Sequence, residues 1–210
     1  AVFLSVLFLG SGLAAVALSY DYLKRMDVHH NEFYILLLLS ISGMLLMAMA
    51  ADLILVFMAL ELLSIPLYVL AGFALPRQDS EEAALKYFLL GAFAGGFVVY
   101  GVALVFGATG STALTRITAA ISAGSANLAF LAVGAALILV GFGFKVAAVP
   151  FHMWTPDVYQ GSPSPVTAFM AVCAKAAGFA ALLRVFITAF PAITEDITPI
   201  LWVLSALTMI

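Results

Sequence analysis

The sequence predicts an all-α protein, a polytopic bundle of transmembrane helices. Hydrophobic residues make up 65% of the 210 residues and charged residues only 9%, whereas a soluble domain carries about 25% charged residues. The apolar residues fall into runs of membrane length, since a helix needs about 20 of them to cross a bilayer. Because an open sheet leaves unpaired backbone groups in lipid, the spanning segments are predicted to be helices.

The apolar runs form one predicted membrane domain, 1–210, with about six complete spans and the start of a seventh. The last run stops within an apolar stretch, so we expect these residues to be an internal fragment of a longer multi-pass protein. The predicted spans are, in order, 1–20, 33–51, 53–75, 83–108, 128–160 with a break after Lys145, 164–189 and 200–210.

Polar segments between the runs support this division. The segment "DYLKRMDVHHNE" (21–32) carries charges, and Asp52 alone marks the turn between the second and third spans. In "PRQDSEE" (76–82) a serine or aspartate can cap the next helix, and the two glutamates suit its first turn. The loop 111–127 is rich in small residues and has room for a short helix, and "PAITEDITP" closes the sixth span.

The charges exclude some functions and indicate an orientation. The net charge of −3 is too small and too scattered for a nucleic-acid surface. A single cysteine, Cys173, can form neither an intrachain disulfide nor an iron–sulfur cluster. Lysines and arginines in short loops favour the cytoplasmic side, which predicts that side for 21–32, 76–82 and the turn at 155–163. His29 and His30 are predicted to be ordinary loop histidines.

Among the ionisable residues of the predicted spans, four are candidates for a functional role, whereas Arg184 and Asp157 are better interpreted as membrane-interface residues. Glu61 and Lys175 are near the middle of the third and sixth spans, Lys145 lies in the fifth, and Lys86 is near one end of the fourth. A charge at the centre of the bilayer costs about 2.5–3.5 kcal/mol on insertion scales, so such residues usually face the bundle interior and carry function. The structural alternatives are a protonated, hydrogen-bonded Glu61 and a Lys86 that reaches the interface and pairs with Glu82.

The fifth span should break just after its lysine. Pro150 leaves the carbonyl of Val146 without an amide donor, and glycines at 141 and 143 loosen the same region. In a membrane such a break is tolerated where it is buried in protein or lines a watery cavity. We therefore expect internal water beside the Lys145 ammonium, and His152 would share its face if the helix continued.

One acid and several lysines on separate helices can form a switchable proton relay. Burial disfavours the charged form of a lysine, and a nearby carboxylate restores it. We expect Glu61 and Lys145 to come within ion-pair or one-water distance, and Ser64 lies one turn from Glu61 on the same face. When that pair separates, the Lys145 proton becomes transferable, and Lys175 is the next acceptor through water and His152.

Three long stretches resemble the antiporter-like membrane subunits of respiratory complex I, the proton-pumping NADH:quinone oxidoreductase. They are "ALELLSIPLYVLAGF", "EEAALKYFLLGAFAGGFVVYGVALVFGATGS" and "GFGFKVAAVPFHMWTPDVYQGSPSPVTAFM", and together they run from Ala59 to about Phe186. Within that group they are most similar to the subunit N family. The resemblance implies that Glu61, Lys86, Lys145 and Lys175 are functional, with the second of two inverted helix repeats absent from this piece.

The resemblance also implies the setting of the chain. It implies a proton-translocating subunit in the cytoplasmic membrane, beside neighbouring antiporter-like subunits and small membrane subunits. NADH, FMN, iron–sulfur clusters and quinone would be held by partner subunits, with no cofactor or metal in this chain. The alternatives are a subunit of a multi-subunit cation/proton antiporter or membrane-bound hydrogenase, and a purely structural membrane scaffold, which would not need Glu61, Lys145 and Lys175 to ionise.

Overall fold

A computed structural model of the protein describes residues 2–26, 31–74 and 76–210, except for the side chains of residues 192, 194 and 196. His29 and His30, predicted to be loop histidines, lie outside the described residues. The all-α prediction is confirmed, since no strand occurs in the described ranges.

The helices are α1 (Val2–Arg25), α2 (Glu32–Met49), α3 (Leu53–Ala71), α4 (Gln78–Thr109), α5 (Leu114–Ser122), α6 (Leu128–Val146), α7 (Thr155–Gly161), α8 (Ser164–Phe169), a π-helical turn (Met170–Ala174), α9 (Lys175–Ala189), a 3₁₀ turn (Pro191–Ile193) and α10 (Thr194–Met209).

Six helical segments of the described chain are long and apolar enough to cross a membrane. They are α1, α2, α3, α4, α6 and the continuous segment Ser164–Ala189, which comprises α8, the π-helical turn and α9. Many large apolar side chains on their outer faces are exposed, as expected for surfaces that meet lipid. The chain is therefore a multi-pass membrane protein.

The loops before α3 and before α5 meet at one end of the bundle. The Asp52 carboxylate accepts a hydrogen bond from the Ile54 amide at 2.8 Å and thereby caps α3. The same carboxylate accepts from the Thr112 hydroxyl at 2.7 Å, and the Leu53 amide donates to the Thr112 carbonyl at 2.9 Å. These bonds join two loops that are distant in sequence.

The end of α2 is held at this same end by Arg184, which lies on α9. Its guanidinium donates to the carbonyls of Ala48 at 3.2 Å and Met49 at 3.3 Å, and also to that of Ala50. The last carbonyls of a helix have no intrahelical donor. Arg184 supplies these donors from a different helix. Its position in the sequence indicates only a membrane-interface residue, but its side chain also connects α9 to the end of α2.

The start of α4 and the short helix α7 meet at the opposite end. The Gly161 backbone rests on the first turn of α4, where a Cβ at that position would lie 2.7 Å from the Ala83 Cβ. The segments 76–82 and 155–163 therefore share one end of the bundle, as their sequence-predicted common side requires.

Small residues bring α4 and α6 close together and so set the position of the central lysine. A Cβ on Gly134 would lie 2.9 Å from the Gly101 carbonyl oxygen, and one on Gly101 would lie 2.7 Å from the Gly134 carbonyl oxygen. Such small-residue crossings let helix backbones approach closely in membranes. The crossing holds α6 on α4, and the Lys145 side chain at the C-terminal end of α6 reaches the Ser64 hydroxyl on α3.

The fifth span is interrupted after Lys145, as predicted, but the cause differs from the expected one. Here α6 ends because Ala147 adopts a left-handed conformation, with φ of 61°. The Ala147 amide donates to the Phe144 carbonyl at 3.1 Å and the Ala148 amide to the Gly143 carbonyl at 2.9 Å, which is a Schellman motif. Pro150 lies in the turn that follows, so it is not what frees the Val146 carbonyl.

Candidate functional site

Lys145 lies in the last turn of α6 and is buried in the bundle, with 4% of its surface exposed. Its ammonium donates to the Ser64 hydroxyl at 2.7 Å and to the Tyr87 hydroxyl at 3.3 Å. Gly178 of α9 closes the other side, since a Cβ there would lie 3.3 Å from the Lys145 Cγ. We call Ser64, Tyr87, Lys145 and Gly178 the lysine pocket. A helix C-terminus carries a partial negative charge, which favours a cation at this position.

Glu61 faces the same interior but does not pair directly with the lysine. Among the ion pairs of the described residues, none joins Glu61 to Lys145 directly, and the expected contact through one water stays a prediction. Ser64, one turn beyond Glu61, holds the ammonium instead. The Glu61 carboxylate lies against α4 at Gly95, where a Cβ would be 2.7 Å from its Oε1 atom.

A series of ring contacts links the lysine pocket to Lys175. The Lys145 ammonium is 5.6 Å from the Tyr87 ring centroid, and the Lys175 ammonium is 5.4 Å from the Tyr159 ring centroid. Both tyrosine rings contact Trp154: Tyr87 stacks on it at 4.7 Å and Tyr159 meets it edge-on at 5.7 Å. The indole of Trp154 also donates to the Phe144 carbonyl at 3.0 Å, which ties the turn back to the end of α6.

Lys175 is the first residue after the π-helical turn Met170–Ala174, and its side chain is partly exposed. Its ammonium lies over the Tyr159 ring, and no ion pair within the described ranges reaches it. A π-helical turn inserts one extra residue into an α-helix, and such turns often occur at functional sites.

His152 lies in the turn between α6 and α7, so it does not continue the Lys145 face of a helix. Its Nδ1 atom is buried and has no hydrogen-bond partner among the described residues. The Tyr159 hydroxyl and the Ser162 hydroxyl, nearby in sequence, are buried and unpartnered in the same way. Buried polar atoms of this kind usually bind ordered water.

Lys86 lies apart from the lysine pocket, at the open edge of α4. Its ammonium is 2.6 Å from the Glu82 carboxylate, as predicted for a pair four residues apart, and 2.5 Å from the Asp157 carboxylate of α7. The Lys86 side chain is 41% exposed, in a cleft of about 180 Å³ that Asp79 and Gln160 also line.

Three further residues belong to the site without a sequence signal: Tyr87 contacts Lys145, Asp157 contacts Lys86, and Trp154 contacts Tyr87. The sequence does not distinguish Tyr87 except by its place next to Lys86. Trp154 and Asp157 lie in a stretch that resembles the family, but no sequence pattern there predicts which residues they contact. Within the described part of the chain, no three His, Cys, Asp or Glu side chains lie close enough to hold a metal ion.

Comparison with known proteins gives consistent matches. A family model described as "NADH:quinone oxidoreductase/Mrp antiporter, TM" matches residues 50–210. NADH-quinone oxidoreductase subunit N from Trichlorobacter lovleyi is 50% identical over 210 residues, which cover 100% of this chain and 43% of that relative. The chain thus spans less than half the length of this relative.

Two solved structures share the fold. A chain of respiratory complex I from Thermus thermophilus is 48% identical, with a TM-score of 0.73 over 86% of this chain and 38% of that one. A chain of the Mrp complex from Dietzia sp. DQ12-45-1b is 23% identical, with a TM-score of 0.75 over 90% of this chain and 35% of that one. At 23% identity the similarity to the Mrp complex chain concerns the fold alone, whereas the complex I chain is similar in both fold and sequence.

Proposed function

Because the chain belongs to the NADH:quinone oxidoreductase/Mrp antiporter membrane family, we propose that it translocates protons as a membrane subunit of an NADH:quinone oxidoreductase. The observation that carries the proposal is the lysine pocket. A buried ammonium held by two hydroxyl groups, at the end of an interrupted membrane helix, is an unusual and costly arrangement. Such groups in membranes commonly belong to proton pathways.

The proposed relay uses Glu61, Lys145 and Lys175. Lys145 holds a proton while the Glu61 carboxylate stabilises its charge, and it releases that proton when the distance between the two groups grows. Lys175, beyond Tyr87, Trp154 and Tyr159, is the next acceptor. The three unpartnered buried polar atoms of the segment 152–162, one of them on the Tyr159 ring beside Lys175, support a path completed by water, with His152 as a further proton-exchanging group.

The partners follow from the same proposal. NADH, FMN, iron–sulfur clusters and quinone are bound by other subunits, and this chain contributes proton movement alone. Its neighbours are other membrane subunits of the complex, in the cytoplasmic membrane of a bacterium. The 50% identity to subunit N from Trichlorobacter lovleyi favours this assignment over a cation/proton antiporter.

Replacing Lys145 tests the proposal in the assembled complex. Lys145→Ala removes the titratable amine, and Lys145→Arg keeps the charge but does not release a proton at physiological pH. We expect both variants to lower proton uptake into membrane vesicles by at least about tenfold, and to slow NADH:quinone turnover through tight coupling. The complex should still assemble, because alanine suits a helix and lowers the cost of insertion.

The matched control is Lys24→Ala, which removes an exposed lysine from the last turn of α1. It should leave proton uptake and turnover unchanged. Normal pumping with alanine or arginine at position 145, in a complex of normal subunit content, would contradict the relay and favour a structural scaffold.

A further inference from the structure

The short helix α7, which follows the break, is attached to α4 by an ion pair across the two helices. The Lys86 ammonium lies 2.5 Å from the Asp157 carboxylate on α7 and 2.6 Å from the Glu82 carboxylate on its own helix. Lys86 and Asp157 are 71 residues apart in sequence. The pair therefore joins the second half of the interrupted span to a helix that crosses the bundle without interruption.

Two further contacts hold the same segment on the same stretch of α4. The Gly161 backbone packs on Ala83, which lies one turn before Lys86, and a Cβ on residue 161 would be too close to Ala83 to fit. One residue after Lys86, the Tyr87 ring stacks on Trp154, with the planes within 9° of parallel. The ion pair thus lies between a backbone contact and a ring stack.

This arrangement connects the exposed edge of α4 to the lysine pocket. Tyr87, which carries the Trp154 stack, is fully buried and accepts the hydrogen bond from Lys145. A shift of α7 along α4 would move Trp154, and with it the Tyr87 hydroxyl. The position of α7 therefore affects how the buried ammonium is held.

We propose that Lys86 and Asp157 form an ionic latch that fixes α7 on α4, with Lys86 as a permanent cation that positions the Tyr87–Trp154 stack. This role differs from the carrier role that the family resemblance implies for Lys86, and its readout rests on the proposed proton-pumping function. Asp157 is a positioning residue in the same sense, since it acts on Lys145 through Trp154 and Tyr87.

The surroundings of the two lysines support this difference. Two carboxylates within 2.6 Å stabilise the charged form of Lys86, and its side chain is 41% exposed. Neither desolvation nor the lack of a counter-charge therefore favours loss of its proton. Lys145 is the opposite case, because it is 4% exposed and none of the ion pairs in the described ranges includes it. A lysine that carries protons, such as Lys145, must release its proton, whereas Lys86 must stay protonated to hold Asp157.

The test compares charge-conserving and charge-removing variants in the assembled complex. Lys86→Met and Asp157→Asn each remove the latch, and we expect either to lower proton uptake about twofold to fivefold, the range for an exposed ion pair. The double variant should be no worse than the poorer single variant, because both changes break one interaction. Lys86→Arg should restore most of the uptake, since arginine keeps the charge and the pairing.

Glu82→Gln is the matched control, because it removes a carboxylate at a similar distance but leaves the contact between helices. It should lower uptake less than Asp157→Asn does. If Lys86→Arg pumps as poorly as Lys86→Met, Lys86 is a carrier and the latch is wrong. Unchanged uptake in Lys86→Met would also overturn it. Lys145→Ala in the same vesicles reports separately on the proposed function, because only the relay requires that variant to fail.

Discussion

The regions around Lys145 and Lys175 are both helices that depart from α geometry inside the membrane, but they do so differently. At Lys145 the helix ends, with Ala147 in a left-handed conformation and eight residues before α7 starts at Thr155. At Lys175 the chain stays helical and widens by a π-helical turn. The first arrangement leaves backbone groups that other residues must satisfy, and Trp154 satisfies one of them. The second keeps its hydrogen bonds within the segment.

The side-chain surroundings differ in the same sense. Lys145 has two hydroxyl partners and is almost fully buried, whereas Lys175 is partly exposed and lies over one aromatic ring. A fixed set of hydrogen-bond partners makes the free energy of a charge sensitive to small displacements. We conclude that the Lys145 region should tolerate changes of shape poorly and the Lys175 region should tolerate them better.

The largest expected effect comes from the residue where the two regions touch. Gly178 lies one turn after Lys175, and a Cβ there would be 3.0 Å from the Val146 side chain and 3.3 Å from that of Lys145. We expect Gly178→Leu to destabilise the protein by about 3 kcal/mol through overpacking, measured as a lower midpoint of thermal unfolding in detergent. Gly96→Leu is the control, because a Cβ at Gly96 meets nothing within 4 Å. Equal midpoints for the two variants would show that the regions do not pack tightly on each other.

Ser64→Ala tests the hydroxyl partners of Lys145 and should have an intermediate effect. It removes the acceptor at 2.7 Å and leaves the ammonium with Tyr87 alone. Since a hydrogen bond to a charged group contributes about 1.5–3 kcal/mol, the unfolding free energy should fall by about 2 kcal/mol. Ser42→Ala is matched, because Ser42 also bonds the carbonyl four residues earlier but is exposed and has no cation. A loss in Ser42→Ala as large as in Ser64→Ala would mean that the lysine contact contributes nothing.

The smallest effect should have opposite signs in the two regions. Ala147→Gly places glycine in a left-handed conformation that costs an L-residue about 1–2 kcal/mol, so it should stabilise the protein by about 1 kcal/mol. Ala174→Gly, in the π-helical turn with φ of −65°, should destabilise it by about 1 kcal/mol through backbone entropy. Thermal unfolding of both variants measures the difference. If both change stability in the same direction, the two interruptions do not differ as described.

The all-α class and the apolar helices of membrane length could be predicted because they depend on composition and length alone. The helix face on which Ser64 lies was also predictable, since one helical turn separates Ser64 from Glu61. The cause of the helix end was not, because an alanine in a left-handed conformation leaves no sequence signal where glycine is usual. The π-helical turn has no signal either. Asp157 and Arg184 looked like interface residues because their partners lie 71 and more than 130 residues away.

The contact of Arg184 with the end of α2 has a consequence for the synthesis of the protein. The guanidinium and the carbonyls that it binds are 134 to 136 residues apart, and a ribosome adds about 5–20 residues per second. The end of α2 therefore waits roughly 7–27 s for its donor. During that interval water or lipid headgroups can satisfy these carbonyls if this end of α2 lies at the membrane surface.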